Sequence, residues 1–81
     1  MSIQIENENG ENLVHFELDC NPFKEGEIIK LDKKNLNRDM WTIEPINAMY
    51  KILKIRHDVR INYGRSVITT FITTLTVTEH V

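Results

Sequence analysis

Residues 66–77 read SVITTFITTLTV, and whether they form a helix or a strand decides the fold. The apolar pairs Val67/Ile68 and Phe71/Ile72 are four residues apart, which is helical spacing. However, six of the twelve residues are threonine or serine, and five more are β-branched or aromatic. Such residues cost up to about 0.7 kcal/mol each in a helix relative to alanine, whereas they pack well on a sheet. We therefore predict a strand, with the apolar pairs explained by a bulge or by burial on both faces.

The preceding segment, 50–63, alternates between apolar and charged residues, which is typical of a strand with one wet side. Its predicted inner face consists of Leu53, Ile55, His57, Val59, Ile61 and Tyr63. The outer face carries Lys54, Arg56, Asp58 and Arg60. Gly64 is predicted to turn the chain with a positive φ. The two segments then pair as an antiparallel hairpin.

The N-terminal half has the same strand-rich character. Segments 3–6 and 13–20 both alternate, and Asn9-Gly10 between them predicts a hairpin with a type I′ turn, in which both residues have positive φ. Gly26 predicts a tight turn before a short strand at 27–32.

The middle of the chain is less regular. The polar segment 33–39 is predicted to be an exposed loop. Segment 40–50 is predicted to be a loop or short turn in which Pro45 begins a single helical turn. Trp41, Ile46 and Met49 would cover one end of the core.

These elements predict an all-β fold made of one small domain, residues 1–81. Five or six strands with at most one short helical turn must close on themselves or expose long edges. We therefore expect a partly open antiparallel β-barrel of SH3-like or OB-like type, in which the last strand meets the first.

Composition restricts the class of protein. The single cysteine, Cys20, cannot form an internal disulfide, and the sequence has neither a signal peptide nor an apolar run of about 18 residues. A cytoplasmic or virion-associated protein that is not in a membrane is expected. The net charge of −2 is unevenly distributed, with −5 on residues 1–46 (ten Asp/Glu, five Lys/Arg) and +3 on residues 47–81 (two Asp/Glu, five Lys/Arg).

No residue set predicts catalysis, a metal site or a cofactor. His57 lies on the apolar face of its strand, while Asp58 points to the other face and is not placed to orient it. A hydrogen-bonded histidine at the end of the barrel is the favoured interpretation. His15 and His80 share no ligand spacing with it, and Cys20 has no companion ligand. The chain is expected not to be an enzyme.

The glycine turn and strand in FKEGEIIKL, followed by YKILKIRHDVRINYG and TTFITTLTV, resemble the small β-barrel domain of phage tail hub and baseplate proteins. The matching positions are Tyr50, Ile55, His57, Gly64, Thr74 and Leu75. The same pattern also resembles SH3-like barrels in general. Two features depart from the hub pattern: hub proteins contain several domains, and segment 64–72 is longer than a tight hairpin return. The resemblance implies a structural, assembling role and supplies no functional site.

The leading functional hypothesis is an interaction module, phage-like and non-enzymatic, that binds itself or a larger protein. The acidic half of one copy would attract the basic half of another. The predicted contacts are Met40, Trp41 and Tyr63, which are large side chains near loops.

Two alternatives remain open. One is an OB-like or SH3-like nucleic-acid binder whose phosphate contacts are Lys54, Arg56, Arg60 and Arg65. The other is an inhibitor that mimics an acidic ligand through the acidic residues of the first hairpin, namely Glu6, Glu8, Glu11, Glu17 and Asp19.

Overall fold

The computed structural model describes residues 1–34 and 45–81. These residues form five strands: β1 (Ser2–Asn7), β2 (Asn12–Glu17), β3 (Ile28–Lys33), β4 (Ile46–Asn62) and β5 (Ile68–Glu79). They lie in one sheet with the order β2-β1-β5-β4-β3. The described ranges contain no helix, so the all-β prediction is confirmed and the single helical turn expected at Pro45 is wrong. It follows that no described helix is long and apolar enough to cross a membrane.

The last strand meets the first, as predicted, but the pairing is parallel. Ile3 lies opposite Thr73 and Ile5 opposite Leu75, while the other three strand pairs are antiparallel. The sheet is therefore mixed, and the expectation of an antiparallel sheet throughout is wrong. A tight turn forces its two strands to run in opposite directions. No such turn joins β1 to β5.

The core lies on one face of the sheet, which we call the inner face. Its fully buried apolar residues are Ile3, Ile5, Ile52, Leu75 and Val77. Partly buried residues from β2, β3, β4 and segment 18–23 surround them: Leu13, Val14, Phe16, Leu18, Phe23, Ile29, Leu31, Tyr50 and Ile55. Phe16 and Phe23 meet edge to face, with ring centroids 6.4 Å apart.

The sheet curls without closing. No ladder joins the edge strands β2 and β3 in the described part of the chain. Nevertheless, the Lys33 side chain reaches across from β3, and its Nζ donates a hydrogen bond of 2.8 Å to the carbonyl oxygen of Leu13 in β2. The two edges are therefore close at this end of the sheet.

Neither explanation of the apolar pairs in residues 66–77 holds: the bulge lies instead in β4, and Val67, Ile68 and Phe71 are each more than half exposed. The register shifts between Ile52 and Lys54, so that Leu53 is the extra residue. Ile52 is fully buried, whereas Leu53 is 41% exposed. The prediction that Leu53 shares the inner face with Ile55 and His57 is therefore wrong, because a bulge reverses the alternation of side chains.

Two turns and two strand boundaries also differ from the predictions. β2 ends at Glu17, three residues before the predicted end of that strand. The only described residues with positive φ are Gly10 (82°) and Gly26 (87°), so neither Asn9 nor Gly64 adopts the expected conformation. The first hairpin instead has a turn closed by the Gly10 N–H to the Asn7 carbonyl, followed by left-handed Gly10. This geometry is typical of three-residue hairpin loops. Residues 46–50 belong to β4 and are not a loop.

Candidate interaction surface

The ends of β4 and β5 extend beyond their neighbours. β3 pairs with β4 only as far as Lys51, and β1 pairs with β5 only from Ile72 onward. Beyond these limits, β4 and β5 continue to pair with each other as far as Asn62 and Ile68. We call residues 56–71 the arm, which from Val59 to Phe71 is a two-stranded extension of the sheet.

Large apolar side chains are exposed along the arm. Val59 and Phe71 lie opposite each other on the inner face and are 56% and 54% exposed. Ile61 lies on the same face and Ile68 on the outer one, and both are exposed. The apolar surface that forms the core therefore continues onto the arm, where no described residue covers it.

Within residues 1–34 and 45–81, the arm also has a free strand edge, on the side of β4 that faces away from β5. At the near end, Ile52 exchanges hydrogen bonds with segment 26–27: its N–H donates to the Glu27 carbonyl, and its carbonyl accepts from the Gly26 N–H, both at 2.8 Å. The Ile55 N–H donates to the Glu25 carboxylate at 3.2 Å, so it also points to this side.

Hydrogen-bonding directions alternate along a strand. The backbone groups of His57, Val59 and Ile61 therefore point to the same side as those of Ile55. No described residue pairs with residues 56–62 along this edge.

The predicted basic residues are only partly brought together. Lys54, Arg56 and Arg60 share the outer face of β4, opposite Thr76, Thr74 and Thr70 of β5. Arg56 also forms an ion pair with Asp58, with 3.1 Å between Nε and Oδ2, which removes part of its charge from the row. Arg65 lies in the connection between β4 and β5 and outside this row.

Of the three predicted protein contacts, the structure describes only Tyr63. Tyr63 directly follows β4 and is 82% exposed at the arm's tip, in a position to make a contact. Met40 and Trp41 lie outside the described residues, as does most of the loop predicted at 33–39.

His57 is hydrogen-bonded to the sheet. Its Nδ1 and the Thr73 hydroxyl share a bond of 3.0 Å, and the Thr73 hydroxyl also lies 3.7 Å from Met1 Sδ. Thr73 is 1% exposed, so this contact is at the end of the core. The described ranges contain no group of three or more His, Cys, Asp or Glu side chains suited to a metal ion.

The sequence interpretation missed the exposure of Val59, Ile61 and Phe71, because it assigned Val59 and Ile61 to a covered face and residues 66–77 to a core strand. Strand length is the signal that could have revealed the exposure of these side chains. β4 has 17 residues, whereas β3, its neighbour on one side, has six and cannot pair with it along its whole length.

The chain matches no protein-family model, and neither the curated proteins nor the solved structures contain a significant match to it.

Proposed function

We propose that this chain is a non-enzymatic interaction module that assembles with itself or with a larger protein, as a structural or accessory component of a phage or phage-like particle. The resemblance of segment 22–78 to tail hub and baseplate barrels supports a role in such a particle. In finer detail, we propose a partly open small barrel of SH3-like or OB-like type. The hydrogen bond from Lys33 to Leu13 supports this barrel type, because the bond brings the two sheet edges together.

The exposed inner face of the arm is the observation that carries the proposal. Only five apolar side chains are fully buried among the described residues, while Val59, Ile61 and Phe71 extend the same face into solvent. Apolar burial contributes about 25 cal/mol per Å². An association that covers these side chains would therefore add to a small core. Exposed apolar patches of this kind are typical of protein interfaces.

Light scattering tests the self-assembly part of the proposal. We expect the mass of the wild-type protein to rise with concentration. Val59→Thr, which makes an exposed apolar side chain polar while keeping a β-branched residue suited to a strand, should shift this rise to higher concentration.

Ile28→Thr is the matched control, because Ile28 is 47% exposed in a strand outside the arm. Its mass profile should follow that of the wild type. A strict monomer at every concentration and salt would remove self-assembly from the proposal.

A nucleic-acid binder is the second candidate, and the shared outer face of Lys54, Arg56 and Arg60 is the observation that favours it. Fluorescence anisotropy with labelled single-stranded and duplex oligonucleotides provides the test, at low and at physiological salt. Phosphate contacts require binding that weakens steeply with salt. Reversing the charges of Arg56 and Arg60 should then abolish binding while leaving the fold intact. Unchanged anisotropy at low salt would eliminate this candidate.

A further inference from the structure

We infer that two copies of this chain pair through the free edge of β4, antiparallel and around a two-fold axis at Val59, to form one continuous sheet. This inference rests on the proposed self-assembly and specifies its surface, partner and register. Exposed strand edges are templates for pairing with another chain, and main-chain hydrogen bonds give such pairing its affinity.

The length of the free edge supports this register. The Ile55 N–H already donates a hydrogen bond to the Glu25 carboxylate, and β4 ends at Asn62. The free edge is therefore residues 56–62, and its central residue is Val59. An antiparallel two-fold at Val59 pairs all seven residues with the same seven of the partner. Any other two-fold register leaves part of the edge unpaired.

Backbone directions are compatible with the same register. His57, Val59 and Ile61 point their N–H and carbonyl groups outward, and in this arrangement they lie opposite Ile61, Val59 and His57 of the second copy. Each of these pairs can exchange two hydrogen bonds, as antiparallel ladders require.

Charge complementarity favours this register over the registers with the axis at His57 or at Asp58. On the outer face, Asp58 lies opposite the second copy's Arg60, and Arg60 lies opposite its Asp58. Arg56 lies opposite the neutral Asn62. Opposite charges on facing residues stabilise a strand pair, and like charges destabilise it. Moving the axis to His57 would place Lys54 against Arg60, and moving it to Asp58 would place Arg56 against Arg60.

The apolar inner face is consistent with the same pairing. Val59 of one copy would lie beside Val59 of the other, with Ile61 next to His57 on either side. The half-exposed Val59 would then lie in the middle of a wide sheet, with Phe71 one strand further out on each side.

The competing edges of the described sheet are shorter. On the side of β1, β5 leaves residues 68–71 unpaired at one end and residues 78–79 at the other. Met1, Ser2, Glu17 and Asp19 lie beside residues 69–71 in one surface recess. Four residues offer fewer hydrogen bonds than seven. The outer edges of β2 and β3 are six residues each, and Lys33 of β3 bonds to the Leu13 carbonyl of β2 across the gap between them. The β4 edge is the longest of these edges and is therefore the favoured pairing site.

Cysteine cross-linking tests the register in a Cys20→Ser background, since Cys20 is exposed and would react on its own. Val59→Cys places two sulfurs across the axis, where Cα atoms of facing residues are about 5.5 Å apart, within the range of a disulfide. Ile61→Cys is the matched control. The two copies of residue 61 would be about 13 Å apart along the strands, too far to bridge.

With oxidised glutathione as the oxidant, we expect a cross-linked dimer from Val59→Cys and little from Ile61→Cys. Equal cross-linking of both variants, or preferential cross-linking of Ile61→Cys, would overturn the register. A dimer by light scattering in which Val59→Cys does not cross-link would overturn this surface and leave the proposed self-assembly standing. A monomer under all conditions would overturn both.

A charge swap provides an independent measurement. Asp58→Arg should weaken the dimer about tenfold or more, because two attractive pairs become repulsive. Adding Arg60→Asp restores opposite charges across the axis and should recover most of the lost affinity. Circular dichroism would confirm that both variants remain folded. Failure of the double variant to recover affinity would contradict the pairing of residues 58 and 60.

Discussion

The hydrogen bond between His57 and Thr73 lies at the end of the core. Thr73 is buried on the inner face, and its hydroxyl shares a hydrogen bond with His57 Nδ1 across the β4–β5 pair. A hydroxyl at this position satisfies the imidazole, whereas an apolar residue would leave it without its partner. The histidine that the sequence placed on an apolar face therefore has a structural partner.

Replacing Thr73 with valine tests this contact. The substitution keeps a β-branched residue in the strand and removes the hydroxyl, so we expect the free energy of unfolding to fall by about 1 kcal/mol. Urea denaturation followed by circular dichroism provides the measurement. Thr69→Val is the control, because Thr69 is on the same face of β5 and is exposed. It should change stability by less than about 0.5 kcal/mol, and equal losses in the two variants would contradict the interpretation.

At the scale of the element, the turns depend on two left-handed glycines. Gly26 has a φ of 87°, and its N–H donates to the Ile52 carbonyl at 2.8 Å, which joins the turn before β3 to the end of the β3–β4 pairing. A side chain at Gly26 would meet no atom within 4 Å. The strain of a substitution there would therefore come from the backbone alone.

Gly26→Ala should destabilise the protein by about 1–2 kcal/mol, the usual cost of placing a residue with a Cβ in the left-handed region. Gly64→Ala is the matched comparison. Gly64 does not have positive φ, and the nearest atom to an added Cβ is the Ser66 carbonyl oxygen at 3.9 Å. Alanine there should be neutral or stabilise the fold by up to about 1 kcal/mol, by restricting the unfolded chain. Thermal unfolding of both variants is the measurement, and a reversed order would contradict the assignment of these turns.

At the scale of the whole molecule, the arm changes the shape of the protein. The Cα radius of gyration is 14.6 Å, whereas a compact domain of 81 residues has about 12 Å. The difference is consistent with a small curled sheet that carries an extension. It also explains why the described core contains so few fully buried residues.

The curl of the sheet is held at one place by Lys33. Lys33→Met keeps most of the aliphatic side chain and removes the donor to the Leu13 carbonyl, so we expect a loss of about 1 kcal/mol in stability. Amide exchange in β2 should become faster at the same time, because the two edges lose their contact. Lys30→Met is the control, since Lys30 points to the opposite side of β3 and is exposed. Unchanged exchange in the Lys33 variant would show that the contact does not hold the edges together.

The sequence by itself determined the strands, because alternation and β-branched residues are local properties of a segment. The assignment of residues 66–77 to a strand, the hairpin with 50–63 and the turn at Gly26 all follow from such local patterns. The turn at Gly10 was placed correctly, but its type was not, because a type I′ and a three-residue turn are both compatible with Asn-Gly.

Only the tertiary structure decided which parts of those strands are covered. The bulge at Leu53, the parallel pairing of β1 with β5 and the exposure of Val59 and Phe71 depend on where neighbouring strands begin and end. That information is spread over the whole sheet, since the environment of a residue is set by strands distant in sequence. An apolar residue in a core and one on the arm have the same local pattern, and only the length of the neighbouring strands distinguishes them.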